Sequence, residues 1–270
     1  MDTSPLRDLA QLSAGQAKAL RLVCCDIDGT LTRDGRLSAL TLEAFALLAE
    51  AGLLVLPATG RSAATGYDLA LYLPHVAGVV CENGALFFDA HRPGRPRYLH
   101  PGLRDQAHRR GLETAYARLR TAWPNLRRTD DDLFRLTEVA MVREAWMTDP
   151  DIRDMDEAVR QQGLGFTYST VHLHIQGREV TKWAMVAALC PDLGVDDPFT
   201  QVLTIGDSAN DITLFDHRHV AASVGVSRVG RCREEFGGVL PAFLCHKDAA
   251  EGFMEMAVAL SVLRRESAGS

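Results

Sequence analysis

The sequence predicts an α/β protein, in which a Rossmann-like parallel sheet forms a core and a smaller α+β domain is inserted into it. At both ends of the chain, short and almost continuously apolar segments alternate with amphipathic segments of helical period. This alternation is typical of buried parallel strands and their crossover helices. Between these regions the pattern changes to a charged helix followed by a strand hairpin. The length of 270 residues also exceeds that of one ordinary domain.

The first part of the predicted core follows a loose helical leader over residues 1–20. Its predicted strands are RLVCCD at 21–26, LLVLPAT at 53–59 and AGVVCE at 77–82. The helices between them are SALTLEAFALLAEAG at 38–52 and SAATGYDLALYL at 62–73. Gly52 closes the first of these helices, as glycine commonly does just after a helix end. Strands as apolar as these are expected to be covered on both faces.

The inserted domain begins after ENGALFFD at 82–89, where HRPGRPR at 91–97 forms a joint rich in proline, glycine and arginine. It is predicted to contain a long charged helix at 103–122, a strand at 138–142, a helix at 149–163 and a hairpin of strands at 165–170 and 171–176. Alternation in this hairpin predicts a sheet that is exposed on one face. We therefore expect a core of residues 1–88 and 180–270 and an inserted cap domain of residues 89–179.

The alternating pattern of the core resumes after the insertion. The predicted elements are a helix TKWAMVAALC at 181–190, a strand QVLTIGD at 201–207, a helix SANDITLFD at 208–216, a strand VAAS at 220–223 and a final helix EGFMEMAVALSVL at 251–263. No internal repeat and no low-complexity tract interrupts it. The two ends of the chain are thus predicted to build one sheet.

Composition argues against several classes of function. The formal net charge of −6 leaves no surplus of basic residues for nucleic acid or an anionic membrane. No apolar run approaches the length of a membrane span, and the N-terminal segment lacks the apolar region of a signal peptide. The six cysteines show no metal-binding spacing, which favours reduced thiols in a cytoplasmic protein.

Polar residues that could perform chemistry follow the ends of predicted strands or open the helix after the insertion. They are Asp26 and Asp28; Thr59, Gly60 and Arg61; Asp207, Asn210 and Asp211; and Lys182. In an open parallel sheet the ligand crevice lies at the carboxyl ends of the strands, so we expect these residues to converge. Strand alternation further predicts that Asp26 and Asp28 point to the same side.

Four carboxylates in one pocket require a cation. Oxygen ligands with few protein neighbours suit Mg²⁺, which keeps waters and bridges to a phosphate oxygen. Lys182 would keep Asp26 ionised and pair with a phosphate, and Thr59 could donate a hydroxyl hydrogen bond. Such a site would stabilise the charge that spreads over a phosphoryl group during its transfer.

These residues lie in four sequence motifs, which are DIDGT at 26–30, ATGR at 58–61, Lys182 and GDSAND at 206–211. In this order they resemble the motifs of the haloacid dehalogenase (HAD) superfamily of aspartate-nucleophile phosphatases. The ENGA segment at 82–85 and the position of the insertion resemble the Cof-like subfamily with an α/β cap. The run YSTVHLHIQGREVTK at 168–182 resembles the phosphoglycolate phosphatase and sucrose-phosphatase-like branch.

The resemblance implies that Asp26 attacks phosphorus and that Asp28 protonates the leaving oxygen and then activates water. It also implies that Asp26, the Asp28 carbonyl, Asp207 and Asp211 hold Mg²⁺, while Thr59 and Lys182 hold the phosphoryl group. Gly60, Arg61 and Asn210 are auxiliary contacts in this hypothesis. From their positions alone, Asn83 after a core strand and His174 shortly before Lys182 are candidate substrate contacts.

The implied function is a Mg²⁺-dependent phosphatase that acts on phosphoglycolate or a sugar phosphate through an aspartyl phosphate. A phosphomutase with the same core and a non-catalytic module that binds a phosphorylated metabolite are the alternatives. A calcium loop is disfavoured, because Leu31 and Leu37 occupy the positions at which an EF-hand needs glycine and glutamate. Arg135 and Arg143 are possible anchors for a substrate anion, and apolar helix faces leave room for a homodimer. After VAAS the chain lacks the short Asn-Ala turn that the family resemblance leads us to expect.

Overall fold

The computed structural model describes residues 6–169 and 171–266. In chain order, the strands are β1 (Arg7–Asp8), β2 (Leu22–Cys25), β3 (Thr32–Arg33), β4 (Arg36–Leu37), β5 (Leu54–Pro57), β6 (Gly78–Cys81), β7 (Leu86–Asp89), β8 (Arg97–Tyr98), β9 (Val139–Val142), β10 (Leu164–Tyr168), β11 (His172–Gly177), β12 (Val202–Gly206), β13 (Ala222–Gly225) and β14 (Phe243–Leu244). The α-helices are α1 (Ala14–Ala19), α2 (Ala39–Glu50), α3 (Ala63–Tyr72), α4 (Gln106–Ala122), α5 (Asp149–Arg160), α6 (Lys182–Leu189), α7 (Pro198–Gln201), α8 (Ile212–Phe215), α9 (Ser227–Arg231) and α10 (Ala249–Glu266). No helix among the described residues is long and apolar enough to cross a membrane.

The core is a parallel sheet with the strand order β1-β14-β13-β12-β2-β5. The central strand β2 is buried along its whole length. Its residues Val23 and Cys25 pack into the hydrophobic cluster that includes α2 and α10, where Phe45 and Phe253 meet edge to face with ring centroids 5.7 Å apart. Leu22 and Cys24 pack into a second cluster with α6 on the opposite face. The α/β fold with helices on both faces of the sheet is thus confirmed.

The predicted strand at 77–82 extends the sheet and then leaves it. Ala58 and Val80 form a parallel bridge, and the Thr59 amide donates to the Val80 carbonyl at 2.9 Å. From there β6 pairs antiparallel with β7, and β7 pairs with β8. Arg97 of β8 forms an ion pair with Asp192, and Leu103 lies in the core cluster. These contacts hold the chain against the core as far as Leu103. We therefore use the word cap for residues 105–179, a shorter range than the predicted 89–179.

The cap is a three-stranded antiparallel sheet with the order β10-β11-β9, covered on one face by α4 and α5. Leu173 and Ile175 of β11 point into this apolar layer. The prediction that the opposite face is exposed is wrong, because that face lies over the core and buries His174 and Gln176. Thr170, the last residue of the first predicted hairpin strand, lies outside the described residues.

The N-terminal leader is less helical than predicted. Over residues 6–20 it forms one turn of 3₁₀ helix at Leu9–Gln11 and the short helix α1, which Ser13 and Gln16 cap reciprocally. Residues of β1 instead add an edge strand to the parallel sheet. Residues 1–5 and 267–270, which the predicted core includes, lie outside the described part of the chain.

Candidate active site

Asp26 and Lys182 form a buried ion pair at the carboxyl edge of the sheet. Asp26 follows β2, and its amide donates to the Ile205 carbonyl of β12 at 2.9 Å. Lys182 is the first residue of α6, where the Thr181 hydroxyl accepts a hydrogen bond from the Ala184 amide and fixes the helix start. The Lys182 Nζ atom lies 2.5 Å from Asp26 Oδ1 and 2.7 Å from Asp211 Oδ1. Burial lowers the pKa of Lys182, but the two carboxylates outweigh it and raise that pKa, so the ammonium stays charged.

Three buried carboxylates surround this lysine. One oxygen each from Asp26, Asp207 and Asp211 lies within 4.8 Å of the others. Burial, and next Asp211, raise the pKa of Asp26 well above its usual range and that of Asp207 to about 7. Asp26 Oδ2 and Asp207 Oδ1 are buried without a hydrogen-bond partner among the described residues. One ammonium cannot neutralise three carboxylates, so the group has the donor set and the charge that fit a divalent cation.

The loop after Asp26 must approach Asp207 closely. Gly29 has φ +90°, and a Cβ atom placed on it would lie 2.5 Å from Asp207 Oδ2. The next residue, Thr30, is buried, and its Oγ1 has no hydrogen-bond partner among the described residues. Glycine at this position therefore lets the first motif lie against the carboxylates of the last one.

Asp28 does not share the environment of Asp26. Strand alternation does not extend to this pair, because β2 ends at Cys25 and the chain bends at Ile27. Asp28 instead accepts hydrogen bonds from Arg61 Nε at 2.8 Å and Nη2 at 2.5 Å. The side chains of Arg61 and Asp28 are 40% and 44% exposed, so this ion pair is weak and reversible. The first motif thus carries one buried carboxylate and one that is partly exposed.

Thr59 and Gly60 follow β5 beside this pair. Thr59 is buried, and its Oγ1 accepts a hydrogen bond from the Arg61 amide at 3.1 Å. That contact orients the threonine and leaves its hydroxyl hydrogen for an acceptor in the site. The Gly60 carbonyl accepts a hydrogen bond from Arg135 of the cap at 2.8 Å.

A buried polar cluster joins the cap to the core, and we call it the interdomain cluster. It consists of Glu82, Asn83, Arg135, Glu138 and His174. Asn83 Nδ2 donates to Glu138 Oε2 at 3.0 Å, and His174 Nδ1 lies 3.1 Å from Glu138 Oε1. Arg135 pairs with the same Glu138 and with Asp131. The Asn83 contact thus joins the core to the cap, whereas the His174 contact lies within the cap. A role of either residue in substrate binding stays a prediction.

Glu82 anchors the cap from the core side. Its carboxylate accepts hydrogen bonds from the amides of Ala63, Leu136 and Thr137 at 3.0, 2.8 and 2.7 Å and from the Thr137 hydroxyl at 2.5 Å. Burial, and next Glu138, raise the pKa of Glu82 to about 7. Sequence reasoning missed the roles of Glu82 and Glu138. The available signal was that Glu82 ends the apolar segment 77–82 and that Glu138 begins the apolar segment 138–142.

The loop that carries Asp207 is held from a helix that the sequence did not predict. In place of a short turn after β13, α9 brings Arg228 to the Asp207 carbonyl, with Nη1 donating at 2.9 Å. Arg228 Nη2 also pairs with Glu235 at 2.8 Å. Asn210 Oδ1 accepts a hydrogen bond from the Ser208 hydroxyl at 2.6 Å, so its contacts lie within this loop. Arg143 donates to the Ser169 carbonyl within the cap.

Comparison with known proteins agrees with this arrangement. Residues 23–99 match the model of the haloacid dehalogenase-like hydrolase family. The chain is 30% identical over 218 residues to a phosphoglycolate phosphatase of Methanopyrus kandleri, covering 76% of this chain and 83% of that protein. It is 28% identical over 209 residues to phosphoglycolate phosphatase 1 of Saccharolobus solfataricus, with the same coverage of 76% and 83%. A crystal structure of a Thermoplasma acidophilum protein superposes with a TM-score of 0.71 at 21% identity, over 90% of this chain and 99% of that one.

The fold and the site therefore define a capped α/β hydrolase. The chain belongs to the haloacid dehalogenase-like hydrolase family. As a member of that family with phosphatases as its relatives, it is a phosphoric monoester hydrolase.

Proposed function

We propose that the protein hydrolyses a small phosphorylated metabolite with Mg²⁺ as cofactor and Asp26 as nucleophile. The observation that supports this most strongly is the group of three buried carboxylates beside Lys182, two oxygens of which lack a partner in the described chain. The names of the two archaeal relatives make phosphoglycolate the first candidate substrate, and a sugar phosphate is the second. Asp26, Asp207, Asp211 and the Asp28 carbonyl would hold the metal.

In this proposal Asp26 attacks phosphorus, and the bond from phosphorus to the leaving oxygen breaks. Lys182 stays positively charged and favours the ionised form of Asp26 against the effects of burial and Asp211, while the Thr59 hydroxyl donates to a phosphoryl oxygen. When bound, Mg²⁺ supplies positive charge toward the transferring phosphoryl group and offsets the excess of carboxylates. The result of the first step is an aspartyl phosphate on Asp26.

Asp28 handles the protons in both steps. It leaves its half-exposed pairing with Arg61, which costs little, takes up a proton from solvent and gives that proton to the leaving oxygen. In the second step the Asp28 carboxylate takes a proton from water, whose oxygen attacks phosphorus and breaks the bond to Asp26. The cap excludes bulk water during both steps, and the interdomain cluster supports its closed position.

Phosphate release from phosphoglycolate, sugar phosphates and p-nitrophenyl phosphate, in Mg²⁺ and in EDTA, tests this function. We expect turnover only with Mg²⁺ and a loss of about 10³-fold or more in Asp26→Asn, since the nucleophile is removed. Full activity of Asp26→Asn would overturn the assignment of the nucleophile. Isomerisation of a sugar phosphate without net phosphate release would identify a mutase instead.

Asp28→Asn is the matched variant, because it removes the proton carrier and keeps the nucleophile. With p-nitrophenyl phosphate, whose leaving group needs no protonation, it should form the phosphoenzyme and hydrolyse it slowly. Rapid quenching and mass measurement should show one added phosphoryl group on the intact chain. Failure to trap a phosphoenzyme in this variant would count against the two-step scheme.

We also propose that the protein works in the cytoplasm on a free metabolite rather than on nucleic acid or a membrane. The support is that all six cysteines are free thiols and that the formal net charge is −6. A homodimer remains a prediction, which the mass in solution measured by light scattering would test.

A further inference from the structure

A cavity of about 270 Å³ lies between the cap sheet and the core, next to Lys182. From the core it is bounded by Asn83, Lys182 and Asn210, and from the cap by residues of β10, β11 and the segment that follows β11. Its volume lies just below the range of about 300–1,000 Å³ that is typical of sites for drug-sized ligands. Given the proposed function, on which this inference rests, the cavity has room for a leaving group of a few carbons rather than for a disaccharide.

The charged side chains that line this cavity are all basic. Arg160, Arg178 and Lys182 line it, and the described lining residues include no aspartate or glutamate. Arg160 is already engaged by Asp156, with Nε 2.5 Å from Oδ1. Arg178 is exposed and forms no ion pair with any carboxylate of residues 6–169 and 171–266. A free guanidinium in a pocket without carboxylates is suited to a carboxylate on the ligand.

Gln176 indicates a second, independent property of the ligand, which is a hydrogen-bond donor. Its side chain lines the cavity and is only 5% exposed. Gln176 Nε2 donates to the Val180 carbonyl at 2.8 Å, which fixes the amide so that Oε1 is the remaining acceptor. This Oε1 is buried without a partner among the described residues. A buried acceptor left unpaired is unfavourable, so a ligand that brings a hydroxyl donor would be favoured here.

The larger cleft between cap and core has the opposite character. Its volume is about 860 Å³, and its lining is mainly acidic, with Glu144, Asp149, Asp156, Glu234 and Glu235. Only Arg143 and Arg153 bring positive charge to it. An anionic leaving group would therefore be disfavoured in this cleft and favoured in the smaller cavity beside Lys182.

We propose that the smaller cavity holds the leaving group and selects a phosphorylated hydroxy acid, in which a carboxylate and a free hydroxyl both lie on the leaving group. Arg178 pairs with the carboxylate, and Gln176 Oε1 accepts a hydrogen bond from the hydroxyl. Arg178 and Gln176 are then the specificity-determining residues of the cap.

Three substrates test the Arg178 contact and the Gln176 contact separately. 3-Phosphoglycerate carries both groups, glycerol 3-phosphate replaces the carboxylate by a hydroxymethyl group, and phosphoglycolate lacks the free hydroxyl. We expect kcat/KM for 3-phosphoglycerate to exceed that for each of the others by about tenfold or more. Arg178→Ala should lower kcat/KM for the two acids and leave glycerol 3-phosphate unchanged. Gln176→Met should bring 3-phosphoglycerate down to the level of phosphoglycolate.

Arg153→Ala is the control, because it removes an arginine from the larger cleft and should leave all three substrates unchanged. An equal loss on all three substrates in Arg178→Ala would overturn the proposal, since a merely structural role would act alike on each. So would a preference for glycerol 3-phosphate in the wild type. Turnover of p-nitrophenyl phosphate separates a failure of the cavity proposal from a failure of the phosphatase proposal. If the protein hydrolyses this substrate but shows no preference among the other three, only the cavity assignment fails. If this turnover is absent, the proposed phosphatase function fails as well.

Discussion

At the scale of single residues, the site is built from side chains that are individually unfavourable. Asp26, Asp207 and Asp211 are buried together, and their charge is offset by Lys182 and, at Asp207, also by Arg228. Gly29 permits this crowding because its position leaves no room for a Cβ atom beside Asp207. This crowding of charge lowers local stability and produces a strong electrostatic field at the point where a phosphoryl group would be transferred.

Gly29→Ala should weaken metal-dependent activity more than it weakens the fold. An alanine at φ +90° is strained by about 1–2 kcal/mol, and its Cβ would also displace the Asp207 carboxylate. We expect the Mg²⁺ concentration for half-maximal activity to rise at least severalfold, measured by titrating phosphate release. Gly163→Ala is the matched control, because Gly163 has φ +77° but a Cβ there would meet nothing within 4 Å. Equal metal affinity of the two variants would show that the contact with Asp207 is unimportant.

At the scale of elements, the inner strands of the core could be predicted because both faces of each are apolar, and this pattern is local in the sequence. The two-residue strands β1 and β14 could not, because they are too short to show a pattern. The convergence of the motifs could be predicted because parallel strands end at one edge. The cap face that carries His174 and Gln176 was assigned to solvent, since alternation shows which residues share a face but not what covers it. Glu138 could not be assigned either, because its partners Asn83 and His174 are distant in the sequence.

The burial of Glu82 beside Glu138 should make stability depend on pH, because it raises the pKa of Glu82 against the hydrogen bonds from Leu136 and Thr137, which lower it. The pKa of Glu82 is about 7 in the folded protein and near 4.5 when the carboxyl is free. Between these values the folded state keeps a proton that the unfolded state loses, so stability falls as pH rises from about 4.5 to about 7. Full expression of this difference of about 2.5 in pKa is worth on the order of 3 kcal/mol.

Urea unfolding of the wild type and of Glu82→Gln across this pH range measures the effect. The glutamine cannot ionise, so the stability of the wild type relative to the variant should fall as pH rises, whatever constant amount the lost hydrogen bonds cost. Glu43→Gln, at an exposed position of α2, should show a constant difference. A constant difference for Glu82→Gln as well would mean that Glu82 does not change its protonation on folding in this range.

At the scale of the whole molecule, core and cap concentrate opposite charges on either side of the phosphate position. The core brings the three buried carboxylates, which require a cation, and the cap brings arginines near the cavity beside Lys182. The interdomain cluster joins the two halves through buried polar contacts. Metal binding should therefore be coupled to the stability of the whole chain and not only to catalysis.

Thermal unfolding in EDTA and in Mg²⁺ tests this coupling with Asp207→Asn. Without metal, the variant should be at least as stable as the wild type, because it removes one of three mutually repelling carboxylates, whose pKa is already raised to about 7 by burial and Asp211. Mg²⁺ at about 100 times its Kd should stabilise the wild type by about 2.7 kcal/mol, and the variant by much less. A variant that is less stable in EDTA and gains as much from Mg²⁺ as the wild type would show that Asp207 supports the fold and does not hold the metal.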